Sequence, residues 1–247
     1  MDVTVKEVKT NVPVDIQVPE AVLKATERVA VEKVAEGVWF LAGGSHNSVA
    51  IEMKDHMVLV ETPLNDGRSS AVMAQVKQLA AGKPIRFMIN SHNHFDHSGG
   101  VRTAVAEGAT IVTQAGNKAY FEKILTNPNK ISPDLLAKSG KKAKIVAVGD
   151  KHVMTDGVRT IELHRMQDSV HNNTFQMVYL PKEKLLIEAD AFTPPPPNTP
   201  APATPNANNV NLVDNIERLK LSVDRILPLH GRVVPLDDIY VAVGKKR

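Results

Sequence analysis

Ser91-His92-Asn93-His94-Phe95-Asp96-His97-Ser98-Gly99-Gly100 places three histidines and an aspartate within six residues. The cluster directly follows an apolar run, Pro84–Asn90. Such side chains are expensive to bury unpaired, and four crowded together repel or stay unsatisfied unless a cation lies between them. In extended backbone, residues two apart point to one side, so His92 and His94 face a common point. A turn after them lets Asp96 and His97 face a second point a few ångströms away. Nitrogen and oxygen donors of this kind suit zinc, and also iron or manganese. The chain has no cysteine, which removes disulfides, thiolate metal sites and cysteine nucleophiles. Any nucleophile is then water or a hydroxyl.

The elements that must hold this cluster are legible as short runs. Gly37–Ala42, Ser48–Lys54, Met57–Glu61 and Pro84–Asn90 read as strands, the last running into the histidines. Arg68–Ala81 repeats Val72, Val76, Leu79 and Ala80 at helical spacing, and helices are expected at Gly100–Glu107, Gly116–Leu125 and Pro133–Lys138. The second half repeats the theme. Lys144–Val148, His152–Met154, Arg159–Arg165, Phe175–Leu180, Leu185–Glu188 and Arg225–Leu229 read as strands, with Asp156-Gly157 as a hairpin turn. Val210–Val223, with Val213, Ile216, Leu219 and Val223 on one stripe, is the longest helix, and Leu236–Val243 closes the chain. Strands followed by helices in each half predict two mixed β-sheets packed face to face with helices outside: an α/β, four-layer αββα sandwich.

A single domain over 1–247 is expected, with an irregular leader (1–27) and a proline-rich loop (193–206). Thr193–Thr204 holds six of the sixteen prolines, four of them consecutive, and can form neither helix nor ladder. It is either a connector or a wall over the site. Net charge is +3, from 30 basic and 27 acidic residues, too scattered for a nucleic-acid face. No apolar run is long enough to span a membrane. The expected partner is a small-molecule substrate. No export signal opens the chain, so a cytoplasmic location is expected if the chain is whole, and a periplasmic or secreted one if a signal peptide was trimmed.

Taken singly, the later candidates have plain readings too. His171 sits in a polar loop, Asp190 could cap a turn, and His230 precedes a glycine at a strand end. His56, His152 and His164 read as exposed or strand-face residues.

As an ordered set, these residues resemble a known family. His-x-His-x-Asp-His after a strand is similar to the signature of the metallo-β-lactamase-fold hydrolases, and the likeness runs from about Val31 to Pro235. The resemblance implies one cation on His92, His94 and His171, and a second on Asp96, His97 and His230, with Asp190 bridging. Two zinc ions are the expected cofactors, with manganese or iron as alternatives. It also implies that early loops such as Gly43–Ser48 approach the site, giving His46 a substrate-side role.

The chain departs from the family at informative points. Glu61 stands where many relatives have aspartate, which alters the outer hydrogen bonds that orient metal-bound histidines. The loop before His171 lacks the Thr-Pro-Gly-His form of thioesterases and lactonases. Asp190 replaces the cysteine or serine of the β-lactamases, and His94 argues against the flavin-linked di-iron branch. The implied chemistry is direct attack by a metal-bridging hydroxide on a carboxylic derivative: a lactone, ester, thioester or β-lactam. Asp96 would also orient the nucleophile or pass a proton to the leaving group. Phosphodiester hydrolysis and mononuclear iron oxygenation of a sulfur substrate are the competing enzyme classes. A binding module without catalysis is the remaining alternative.

Overall fold

The computed structural model describes residues 3–245, so Met1 and Asp2 of the expected leader, and the last two residues, lie outside the described residues. Seven strands form the first sheet in the order β1 (Ala30–Ala35), β2 (Val38–Ala42), β3 (Ser48–Glu52), β4 (Met57–Val60), β5 (Ile85–Ile89), β6 (Thr110–Gln114) and β7 (Ile145–Val148). Pairing is antiparallel from β1 to β4 and parallel from β4 to β7. The second sheet holds β8 (Lys151–Thr155), β9 (Thr160–Arg165), β10 (Gln176–Leu180), β11 (Leu185–Glu188), β12 (Arg225–Pro228) and β13 (Val234–Pro235). Its β11–β12 pair is parallel and the rest antiparallel.

Alternation along the central strands builds two cores at once. Val49, Ile51, Val58, Val60, Ile89 and Val112 point to the second sheet, where Phe175, Met177, Leu186 and Ile187 meet them. Their neighbours Ala50, Met57, Leu59, Met88 and Ile111 point the other way, onto helices. A short α1 (Glu20–Leu23) buries nothing. Helices α2 (Asp66–Leu79), α4 (Val101–Glu107), α5 (Lys118–Thr126) and α6 (Leu135–Ser139) cover the first sheet, and α3 (Phe95–Ser98) is a single turn beside the histidines. On the far side α7 (Ala207–Leu219) and α8 (Asp237–Ala242) seat Leu212, Val213, Ile216 and Ile239 against the second sheet. The layers are the αββα sandwich that the sequence predicts.

Three strands go beyond the sequence reading. β1 is an edge strand whose first four residues are exposed, so it lacks a clear apolar face. β6 lies inside the sheet between β5 and β7, yet its apolar run is only Ile111 and Val112 between two helical patterns. β13 has two residues. Helix α7 ends earlier than expected, at Lys220 in a left-handed conformation, and Val223 is buried beyond it. Lys220 is exposed, as its place beside the stripe requires.

His56 and His164 are buried rather than exposed. Each is partnered locally, His56 Nδ1 with Asp55 Oδ1 at 2.6 Å and His164 Nε2 with Glu162 Oε2 at 2.8 Å. His152 is half-buried. Among the described residues, no helix is long and apolar enough to cross a membrane.

Candidate metal centre

Five strands deliver side chains to one rim, each at its carboxyl end. β4 leads to Glu61, β5 to Ser91 and His92, β9 to the loop carrying His171, β11 to Asp190, and β12 to His230. Strand ends are where side chains from separate elements can converge without breaking a ladder. After His92 the chain stays extended to His94, the residue that starts α3, and this one turn swings Asp96 and His97 inward. Gly99 and Gly100 let α3 and α4 sit tight on the strand-end loop. A Cβ at Gly99 would strike the Leu64 carbonyl, and one at Gly100 would strike the Ser69 side chain.

The structure brings all seven predicted residues together. His92, His94 and His171 offer ligand atoms within 4.8 Å of one another, as do His92, His97 and Asp190. A third such group joins Asp96, His97 and His230 with His46. His171 Nε2 lies 3.2 Å from His92 Nε2, and His230 Nε2 lies 3.0 Å from His97 Nε2. Asp190 stands between the pairs. Its Oδ2 is 3.3 Å from His92 Nε2, 2.9 Å from His97 Nε2 and 3.3 Å from His171 Nε2, while Oδ1 is 3.0 Å from His230 Nε2.

A family model described as the metallo-beta-lactamase superfamily matches residues 41–230, the span from β2 to the last histidine of the cluster. The chain belongs to the metallo-β-lactamase superfamily. Solved structures agree on the fold. The DIM-1 metallo-beta-lactamase is 16% identical, with a TM-score of 0.64 over 87% of this chain and 95% of its own. A metallo-beta-lactamase from Pontibacter korlensis is 15% identical, with a TM-score of 0.65 over 88% and 98%. The mono-zinc form of FIM-1 from Pseudomonas aeruginosa is 18% identical, with a TM-score of 0.63 over 87% and 93%. No curated protein matches the chain.

The donors of this superfamily member fit a metal. Two donors about 2.0–2.1 Å from a tetrahedral zinc lie roughly 3.3–3.4 Å apart, close to the spacing across this cluster. Buried Asp190 Oδ2 has no hydrogen-bond partner, although three imidazole nitrogens surround it. A carboxylate oxygen left orphaned among nitrogen donors is expensive unless a cation takes it up.

The imidazoles are oriented from behind. His97 Nδ1 donates to Glu61 Oε2 at 2.5 Å, His230 Nδ1 to the Ser45 carbonyl at 3.1 Å, and His92 Nδ1 to Ser91 Oγ at 2.9 Å. The Ser91 hydroxyl in turn donates to Glu61 Oε1, which also accepts the Ser91 amide at 3.2 Å. With Nδ1 engaged from behind, each Nε2 faces the centre, where it can offer a lone pair once any proton on it is displaced. Glu188, fully buried, has its carboxyl pushed well up by that burial, and its Oε2 accepts from Ala191 N and Phe192 N, shaping the turn that holds Asp190. On the other side, Asn215 clasps the His171 loop through the amide and carbonyl of Gln167.

Electrostatics mark the same point. Burial and the neighbouring charge of His97 push His92 down to about 3. Burial works against charge on His97 as well, but Glu61 and Asp190 outweigh it and raise that imidazole to about 11. Burial also opposes charge on Asp190, yet the His230 and His97 imidazoles facing it hold its carboxyl well below the usual range. The cluster thus sets an ionised Asp190 and a neutral His92 beside a protonated His97, whose positive charge stands where a cation would sit.

Sequence reasoning left His46 on the substrate side and did not foresee its supports. Arg68, 1% exposed, donates to the carbonyls of Arg28, Leu41 and His46, holding the Gly43–Asn47 turn from below. Asn47 ties that turn to the carbonyls of Pro228 and Gly231. The signal was a polar, glycine-rich turn ending in Ser-His-Asn. An arginine inside a helical repeat carries no such mark.

Proposed function

We propose that the chain is a dinuclear metal-dependent hydrolase that uses water to cleave a carboxylic derivative: a lactone, ester, thioester or β-lactam. The observation that carries the reading is Asp190, whose two oxygens reach Nε2 atoms on both sides of the cluster. His92, His94 and His171 would hold one cation, and Asp96, His97 and His230 the other, with Asp190 shared. Two zinc ions suit this nitrogen and carboxylate set, and manganese or iron would also fit. Bound there, the pair would supply Lewis acidity and bring the pKa of water toward neutrality.

The chain's own groups do the rest. Asp96 is half-buried, and although burial opposes its charge, the contact with His46 keeps its carboxyl below the ordinary value. An ionised carboxylate at the rim can orient the attacking water and carry a proton to the leaving atom. The Glu61 network keeps His92 and His97 in their metal-facing tautomers. A cleft of about 430 Å³ lies between the proline-rich loop and α8, with Pro195, Pro196, Pro200, Arg232 and Val241 among its walls, and Arg232 is two residues from His230. None of the cluster residues lines it, so it suits the part of a substrate remote from the scissile bond. That the solved neighbours are metallo-beta-lactamases supports keeping β-lactams in the substrate range.

Metal content and turnover test this together. Protein purified without added metal is expected to carry close to two equivalents of zinc, manganese or iron. A panel of lactones, thioesters, β-lactams and bis(p-nitrophenyl) phosphate should show turnover of a carboxylic derivative. His94→Ala and Asp190→Ala should each abolish that turnover in a folded protein, and unchanged rates in both would reject the assignment.

A further inference from the structure

His46 resembles the cluster's imidazoles in its burial, in the reach of its ligand atom and in the oxygen behind its ring. It is 7% exposed, and its Nε2 lies 3.2 Å from Asp96 Oδ2. Its ligand atom falls within 4.8 Å of those of Asp96, His97 and His230. Its ring packs edge-on against His230, with centroids 4.2 Å apart. Behind it, Nδ1 sits 2.7 Å from Ser45 Oγ, as Nδ1 of His97, His92 and His230 each sit against an oxygen. When Nδ1 donates its proton to Ser45 Oγ, Nε2 is a lone pair directed at the group.

The turn that presents His46 is built rather than incidental. Buried Arg68 holds it from the α2 side, and Asn47 locks it to the His230 turn, with Asn47 N donating to the Leu229 carbonyl at 2.8 Å. The same turn supplies the Ser45 carbonyl that orients His230. One five-residue stretch therefore fixes one histidine of this half-site and contributes another.

We infer that His46 is a further side-chain ligand of the cation held by Asp96, His97 and His230 with the shared Asp190, giving that position three nitrogen donors, as many as its neighbour, besides the Asp96 carboxylate. The inference rests on the two-cation reading above and deepens it. A hydrogen bond from His46 Nε2–H to Asp96 is the competing account. A charge-assisted bond of that kind is typically about 2.7–2.9 Å, shorter than the separation found here.

Cobalt(II) titration of the metal-free protein separates the outcomes. The parental chain should take two equivalents, each with its own visible bands. His46→Ala and His46→Gln should keep the first equivalent. The second should weaken by more than about 100-fold, beyond what losing an outer hydrogen-bonding partner costs, and its bands should change. Recovery of parental affinity and bands in His46→Gln would make the residue a hydrogen-bond donor to Asp96 and overturn the inference. Unchanged bands in His46→Ala would also overturn it. Should the histidine variants unfold, Ser45→Ala keeps the ring and removes only its backing hydroxyl. It should weaken the second equivalent by about 10–100-fold, and no change would count against ligation. A parental protein that binds no cobalt would instead remove the two-cation reading itself, and this inference with it.

Discussion

Glu61 Oε2 lies 2.5 Å from His97 Nδ1, and neither side chain has any solvent exposure. Glu61 adopts a left-handed backbone, with φ at 64°. For a residue with a Cβ this conformation costs on the order of 1–2 kcal/mol. The twist directly ends β4 and turns the carboxylate back under the cluster. There its two oxygens serve both halves, Oε2 on His97 and Oε1 on Ser91, which backs His92. Glutamate in place of a shorter acid lets one side chain span both.

Glu61→Gln should expose this dependence. The amide keeps the shape, but if its oxygen accepts from His97 its NH2 group faces the Ser91 amide and hydroxyl. At least one buried donor then loses its acceptor, costing about 1–3 kcal/mol of stability in chemical denaturation. Metal affinity should fall about 10–100-fold, and chelator competition reads that directly. A variant with parental affinity would show that the Glu61 network does not orient the ligands.

Metal uptake should expel a proton from His97. Its folded pKa is raised from 6.5 to about 11, with burial opposing the charge and Glu61 and Asp190 favouring it. A raised pKa contributes stability that is complete below the unfolded value and lost as pH climbs through the folded one. The metal-free protein should therefore lose stability from 6.5 toward about 11. The loaded protein, with a cation in place of the proton, should not, so the Tm gap between the two forms widens with rising pH. Binding in weakly buffered solution near about pH 8 should release at least one proton. Neither proton release nor a widening gap would mean that His97 binds metal without giving up a charge.

The cluster was readable because its donors are contiguous: no packing role explains His92, His94, Asp96 and His97 after one apolar strand. His171, Asp190 and His230 gained meaning only as an ordered series, since each sits alone in an ordinary loop or strand end. The layers were readable from the short, continuously apolar runs of the inner strands, split by turns. β1 and β6 were not, because an exposed edge and a two-residue apolar run leave too little periodicity to recognise. The burial of His164, a strand-face residue as expected, and of Arg68 could not be read for another reason. Their burial is stabilised by Glu162 in one case and three backbone carbonyls in the other, partners that only the folded chain assembles.

The proline-rich loop should govern substrate choice more than stability. Arg232 donates to the Pro195 carbonyl at 3.0 Å, and Pro194 packs on Gly231, so the start of the loop is fastened to the turn carrying His230. Beyond that anchor, Pro200 and Pro202 contribute wall to the cleft, while residues 199–204 are exposed. Removing Pro197–Pro202 while keeping Pro194 to Pro196 would open the cleft and leave the anchor in place. Losing one or two apolar contacts with a bound substrate is worth about 1–2 kcal/mol, or roughly 5–30-fold in KM for substrates with an apolar arm. Compact substrates that do not reach the cleft should keep their kinetics. Little core is disturbed, so Tm should shift by no more than about 2–4 °C. A large fall in Tm with unchanged selectivity would make the loop a brace between the His230 turn and α8.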